Sequence, residues 1–414
     1  MANTSPSHAV TKQHLLTFFS LYIAQSIPMS FFATVIPVMM RQEAFPLSTI
    51  GYLQLIKLPW IIKFLWAPLV DRHSKSIRDY KRWIIFSEFV YAVFIICIAC
   101  LNLHTNFQLI VVLIILSLVT SATQDIATDA LAIRTTPHKG KALLNSMQSM
   151  GSFAGTLVGS GVLLIVYKQF GWDILLFCLA LFVLIAVVPL WKNKQVHLLD
   201  DARLSPRARF HDFALFFAQK RIWKQVLFLV FYYSGLIGLL AMLRPYLVDL
   251  GYSMKAIGVM SGIVGTGFAF MASFLAGRLL RKIGRTIARI LFACFILLAT
   301  LYFLTFIGTV PSTTDIYIGI FLLWGAYGFG TIEVYTTAMD LVRPGREGTD
   351  FTIQIVLTHL SGIIVVILSG HVAQRWGYDA LFVMSSGLAA LSLCYVLFFF
   401  PLRIESVAEE LDKT

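Results

Sequence analysis

The sequence predicts an all-α polytopic membrane protein of about twelve transmembrane helices in two six-helix pseudo-repeats. Three observations predict it: recurrent apolar stretches, basic residues gathered in alternate loops, and features that return at one offset in the second half.

Apolar residues fill 58% of the 414 positions and charged ones only 13%, and the mean hydropathy is +0.79, so water cannot be the main solvent. Stretches near the roughly 20 residues that cross a bilayer lie at 14–40, 48–70, 83–102, 107–133, 141–167 and 172–191, then at 222–249, 255–280, 287–308, 315–341, 351–372 and 378–402. They imply a first bundle over 1–191, a cytoplasmic central loop over 192–221, a second bundle over 222–402 and a cytoplasmic tail over 403–414. The polar start from Met1 to Gln13 leads into an apolar run too long for a signal-peptide core, so the first span is expected to be retained.

A net charge of +12 would also suit a nucleic-acid partner, so the placement of the charges decides. Arg72, Lys75, Arg78, Lys81 and Arg82 follow the second span, Lys192 to Lys224 hold a second group, and Arg278, Arg281, Lys282, Arg285 and Arg289 follow the eighth. The intervening loops carry only Arg41, Lys168, Lys255 and Arg375. This positive-inside pattern puts both termini in the cytoplasm and makes the basic excess a topology signal, with lipid and not nucleic acid as the partner. The five cysteines fall inside apolar spans, so a disulfide framework is not expected.

The repeat is read by sliding one half over the other. Pro37 and Pro245 are 208 apart, Ile50-Gly51 and Ile257-Gly258 are 207, Asp125 and Glu333 are 208, and Gly171-Trp172-Asp173 and Gly377-Tyr378-Asp379 are 206. Pro and Gly punctuate many helices, but the common order and spacing point to duplication.

Ionisable residues deep in a span cost several kcal/mol unless they face a cavity or a partner. The fourth span carries Gln124-Asp125-Ile126-Ala127-Thr128-Asp129, with two carboxylates four apart on one helical face. Asp125, Asp129 and Glu333 are therefore the candidate proton-coupling groups. If Arg134 pairs with Asp129, then Asp129 is a structural lock and Asp125 the freer group. Asp340 is read as an end-of-helix partner of Arg343, Lys63 as snorkelling or pairing with Asp71, and Glu88 as part of the cytoplasmic loop network. Tyr22, Gln25, Lys57, Gln124, Gln148 and His359 are candidate substrate-binding residues. Each can equally be an interhelical hydrogen bond, the preferred reading for Gln54 and Gln354. Gly151, Gly155 and Gly159 recur every fourth residue and predict a close helix approach.

No phosphate-binding Gly-Lys-Ser/Thr loop, Cys/His metal cluster or nucleophile motif is found, so no cofactor, no metal and no enzymatic activity are expected. Ala67-Pro68-Leu69-Val70-Asp71-Arg72 and its basic continuation resemble the loop signature of the major facilitator superfamily, with a degraded copy at Gly277 to Arg285. The resemblance implies the major facilitator fold and a gating role for Asp71 and Arg72, with Arg134 nearby.

Lys63-Phe64-Leu65-Trp66-Ala67-Pro68 and Gln124-Asp125-Ile126-Ala127-Thr128-Asp129, followed by Gly140, Gln148, Gly151 and Gly171-Trp172, further resemble the AmpG-like branch. That branch includes muropeptide permeases, siderophore permeases and acetyl-CoA transporters. Its members often carry an Arg where Phe153 stands here, which implies altered anion recognition. The expected function is secondary active uptake of a small organic solute, siderophore or muropeptide-like, by symport with protons through a monomer in the inner membrane. The alternative is export of amphipathic compounds on the same fold.

Overall fold

A computed structural model describes residues 10–36, 58–102, 105–193, 196, 208–209, 211–219 and 222–400, and among them there is no strand. Ten helices among these residues are long and apolar enough to cross a membrane. The final one, Glu347–Phe398, runs 52 residues and breaks at Gly377, where φ is 78°, so it comprises the eleventh and twelfth spans. The second span is described only from Leu58, as Leu58–Ile62, a 3-10 turn Lys63–Leu65 and Ala67–His73. Pro37, Ile50, Gly51, Gln54 and Lys57 lie outside the described residues.

The chain divides into two compact units, Met1–Asp212 with Val342–Thr352, and Phe213–Leu341 with Ile353–Thr414. In the first unit the spans are Lys12–Ala33, the second span just given, Ile77–Ala99, Phe107–Thr135, His138–Tyr167 and Gln169–Lys192. The first span opens on the Thr11 cap, whose hydroxyl accepts from the His14 amide at 3.2 Å. A capping box of Ser76 and Asp79 opens the third, satisfying amides that a helix start leaves unpaired.

The first and fifth spans lie close together because the fifth presents glycines. A Cβ at Gly155 would overlap the Ser26 Cβ, and one at Gly159 would come 2.5 Å from the Ile27 carbonyl oxygen. In lipid the apolar effect between helices is weak, so such close backbone packing carries much of the association. Phe31, Phe32, Tyr91, Ile95, Leu118 and Leu179 form part of the apolar core beside it. Large apolar side chains such as Phe86, Ile165 and Leu181 stay exposed, as a lipid-facing surface requires.

In the second unit the spans are Ile222–Asp249, Met254–Ile283, Arg285–Phe306, Thr313–Asp340 and, from Ile353 onward, the parts of Glu347–Phe398 on either side of Gly377. Its core is aromatic: Phe382 meets Tyr246 at 5.4 Å and Phe303 at 5.5 Å between ring centroids. The repeat is visible in the backbone, since Gly171 (φ 82°) and Gly377 (φ 78°) turn the chain in the same left-handed conformation. The aromatic residue after each glycine ties the turn back to its own unit. Trp172 donates to the Ile98 carbonyl at 3.4 Å, and Tyr378 donates to Asp249 at 2.5 Å.

Candidate functional site

Gln124, Asp125, Thr128 and Asp129 are all buried in the fourth span. The second span brings Lys63 to them. Its helix is interrupted by the 3-10 turn Lys63–Leu65 between the two short helical pieces, and Pro59 and Pro68 flank the turn. Lys63 is 2% exposed and forms an ion pair with Asp125 Oδ2. Its ammonium also lies 4.8 Å from the Trp60 ring centroid. The pairing replaces the expected contact with Asp71: the lysine points along the membrane interior instead of snorkelling to its edge.

Asp125 Oδ1 accepts from Gln25 Nε2 at 3.0 Å, so both of its oxygens are engaged. Asp129 Oδ1 accepts from the Tyr22 hydroxyl at 2.7 Å and from Gln148 Nε2 at 3.3 Å. Tyr22 and Gln25, three apart, reach the two carboxylates from one face of the first span. Around them Gln25 Oε1, Gln148 Oε1, Thr128 Oγ1 and both polar atoms of Gln124 are buried without a hydrogen-bond partner. Such groups are costly unless water or a ligand completes them. Among the described residues the cluster contains two carboxylates and one ammonium, and Asp129 has no cation among its bonded partners.

The expected pairing of Arg134 with Asp129 does not form. Arg134 sits further along the helix, where Nη1 donates to the Tyr80 hydroxyl at 3.4 Å and Nε lies 3.9 Å from Glu347. Asp129 is thus the carboxylate bonded by neutral donors, and Asp125 is the one bonded by a cation. This reverses the order in which sequence spacing ranked them.

Asp71 lies at the end of the second span and caps a helix that is not its own. Gly348 N donates to Oδ1 at 3.1 Å, and Thr349 donates to Oδ2 through its amide at 2.7 Å and its hydroxyl at 2.6 Å. These amides belong to the first turn of the eleventh span, where N–H groups are unpaired and the helix end is positive. Arg72 is exposed. Arg343 does not pair with Asp340. It grips Asp350 with two bonds, at 2.8 and 2.6 Å.

In the second unit Glu333 is 0% exposed and accepts from Arg289 Nε at 2.8 Å and from the Thr337 hydroxyl at 2.9 Å. Arg289, grouped with the loop charges by sequence, is a buried residue of the ninth span. Asp340 takes Arg285 at 2.8 Å. Gln354 joins Gln225 at 3.0 Å and the Ala338 carbonyl at 3.0 Å, an interhelical bond as expected. His359 is exposed, and Lys57 lies outside the described residues. Periodicity gave no notice of an aromatic corner in this unit. Tyr327 stands perpendicular to both Tyr233 and Trp324, with centroids 6.3 and 6.0 Å apart, and Trp324 Nε1 is buried without a partner. The signal was present in the three-residue spacing of Trp324 and Tyr327. Among the described residues no group of three or more His, Cys, Asp or Glu could hold a metal ion.

All-helical units with buried ionic clusters and lipid-facing flanks define a multi-pass secondary transporter of small solutes, not an enzyme. The chain belongs to the Major Facilitator Superfamily, whose family model matches residues 15–364. It is 21% identical over 387 residues to the anhydromuropeptide permease of Escherichia coli K12, covering 91% of this chain and 78% of that protein. Among solved structures, the fucose:proton symporter FucP of E. coli superposes with a TM-score of 0.71 at 15% identity, over 93% of this chain and 98% of that one. A bacterial homologue of the iron transporter ferroportin, in an outward-facing state, gives 0.69 at 16% identity over 93% and 98%. These solved structures share the fold.

Proposed function

We propose that the protein is a proton-coupled importer of a small organic solute, siderophore or muropeptide-like, working by alternating access as a monomer in the inner membrane with both termini cytoplasmic. The observation that carries this reading is the charge of the first-unit cluster. Lys63 offsets one of two buried carboxylates, and a proton would bring the remaining charge to neutrality before the site crosses a poorly hydrated state. Asp129, with Tyr22 and Gln148 as its bonded donors, is the first candidate for that proton. Asp125 follows, while Glu333 is held by Arg289 in the second unit.

The unpartnered amide groups of Gln25, Gln124 and Gln148, with Tyr22, supply the directional contacts a polar solute needs. Lys57 and His359 are further candidate contacts. The relationship to an anhydromuropeptide permease favours a muropeptide. Phe153, buried in the fifth span where AmpG-like members often have Arg, favours a less anionic solute such as a siderophore. Gating is assigned to Asp71, Arg72 and Arg134.

Labelled anhydromuropeptide and ferric siderophore offered side by side to a transport-deficient host test the reading, with accumulation of one expected and its collapse on adding a protonophore. Counterflow in proteoliposomes then separates the carboxylates. Asp129→Asn should lose uphill accumulation and keep exchange down the solute's own gradient. Solute-dependent efflux, with resistance to amphipathic toxicants, would select the exporter reading instead.

A further inference from the structure

The transport cluster does not use Glu88, and the loop network expected to hold it does not reach it. The helix that carries it begins at Ile77, its first turns hold Arg78, Asp79, Lys81 and Arg82, and at 1.5 Å per residue Glu88 lies about 8 Å inside the apolar stretch that follows them. It is 1% exposed, and both of its carboxyl oxygens are buried with no hydrogen-bond partner. Tyr91, three residues on and on the same face, is 0% exposed. Its hydroxyl and the Ser121 hydroxyl of the fourth span are likewise buried without a hydrogen-bond partner.

The third span packs against the fourth and sixth. The sixth sends apolar Leu175, Leu176, Leu179 and Val183 into the core that contains Tyr91. The charged groups of the fourth are engaged elsewhere: Asp125 by Lys63, Asp129 by Tyr22 and Arg134 by Tyr80 and Glu347. Tyr91 is the titratable group that shares the helix face of Glu88, and among the described residues no charged group bonds to the Glu88 carboxyl. Neighbouring spans run antiparallel, so one turn back from Tyr91 to Glu88 matches one turn on from Ser121 to Gln124, whose two polar atoms are also unpartnered.

An ionised carboxylate there would be an uncompensated charge buried inside an apolar span, costing several kcal/mol. A neutral carboxyl costs much less and gains an O–H to donate. We propose that Glu88, with Tyr91 and Ser121, forms an intramembrane proton-binding site of the first unit, separate from the Lys63 and Asp125 pair. The proton sits on a Glu88 oxygen and leaves only when water enters between the third and fourth spans.

Infrared spectroscopy of the full-length carrier in lipid vesicles tests this without any solute, so it stands apart from the proposed transport. At pH 8 exposed carboxyls, with ordinary values near 4, are ionised. The expected result is a protonated-carboxyl band that survives at pH 8, disappears in Glu88→Gln and shifts in Tyr91→Phe. A band at pH 8 unchanged by both substitutions would overturn the proposal. So would its loss on adding sodium to the wild type, which would make the site a sodium site. If Glu88→Gln fails to fold, the shift in Tyr91→Phe decides by itself.

Discussion

Lys63 and Asp125, separated by 62 residues in sequence, form a buried ion pair inside the first unit. A buried pair contributes little net stability, but breaking it leaves one charge uncompensated at a cost of about 3–5 kcal/mol. Lys63→Met and Asp125→Asn should each lower the melting temperature of the purified carrier, and the double substitution should recover most of the loss. Additive losses in the double variant would mean that the two residues act separately.

The legible part of this site was its spacing. Two carboxylates four apart in an apolar stretch, and the Asp-Arg ending of the second span, could be read directly because helical periodicity fixes which side chains share a face. Partner choice could not be read. Lys63 looked like a snorkelling residue because an unbroken helix would carry it toward the membrane edge, whereas the 3-10 turn at Lys63–Leu65 re-aims it. Arg289 looked like a loop charge because it follows Arg281, Lys282 and Arg285 in sequence, and its partner Glu333 stands 44 residues away.

Asp71 holds the first turn of the eleventh span, 278 residues away, and the chain passes into the second unit just beyond, at Ile353. Release of this cap is expected in each transport cycle. Asp71→Asn turns one acceptor into a donor against the Gly348 and Thr349 amides, and Gly348→Ala would put a Cβ 2.8 Å from Asp71 Oδ1. Both should slow turnover on the order of tenfold while solute affinity changes by less than about twofold, since neither touches the Asp125 cluster. Unchanged turnover in both variants would remove the gating role.

Glu333 is the repeat-mate of Asp125, and its surroundings decide what kind of mate it is. Arg289 bonds its Oε1 at 2.8 Å, and the guanidinium lies 4.5 Å from the Phe400 ring centroid and 5.6 Å from that of Phe228. The Arg289 carbonyl accepts from the Tyr232 hydroxyl at 2.9 Å, which anchors the backbone beneath the pair. A cation enclosed by two rings and a fixed backbone is poorly placed to let its carboxylate go in every cycle, so the pair is expected to serve as a lock within the second unit. Glu333→Gln should then destabilise the carrier by about 3–5 kcal/mol, because Arg289 keeps its charge in a buried site, and Glu333→Gln with Arg289→Gln should recover most of that. In counterflow the single variant should lose exchange and uphill accumulation in the same proportion, following the amount of folded protein. A well-folded Glu333→Gln carrier that exchanges solute at the wild-type rate but no longer accumulates it would instead make Glu333 a coupling carboxylate.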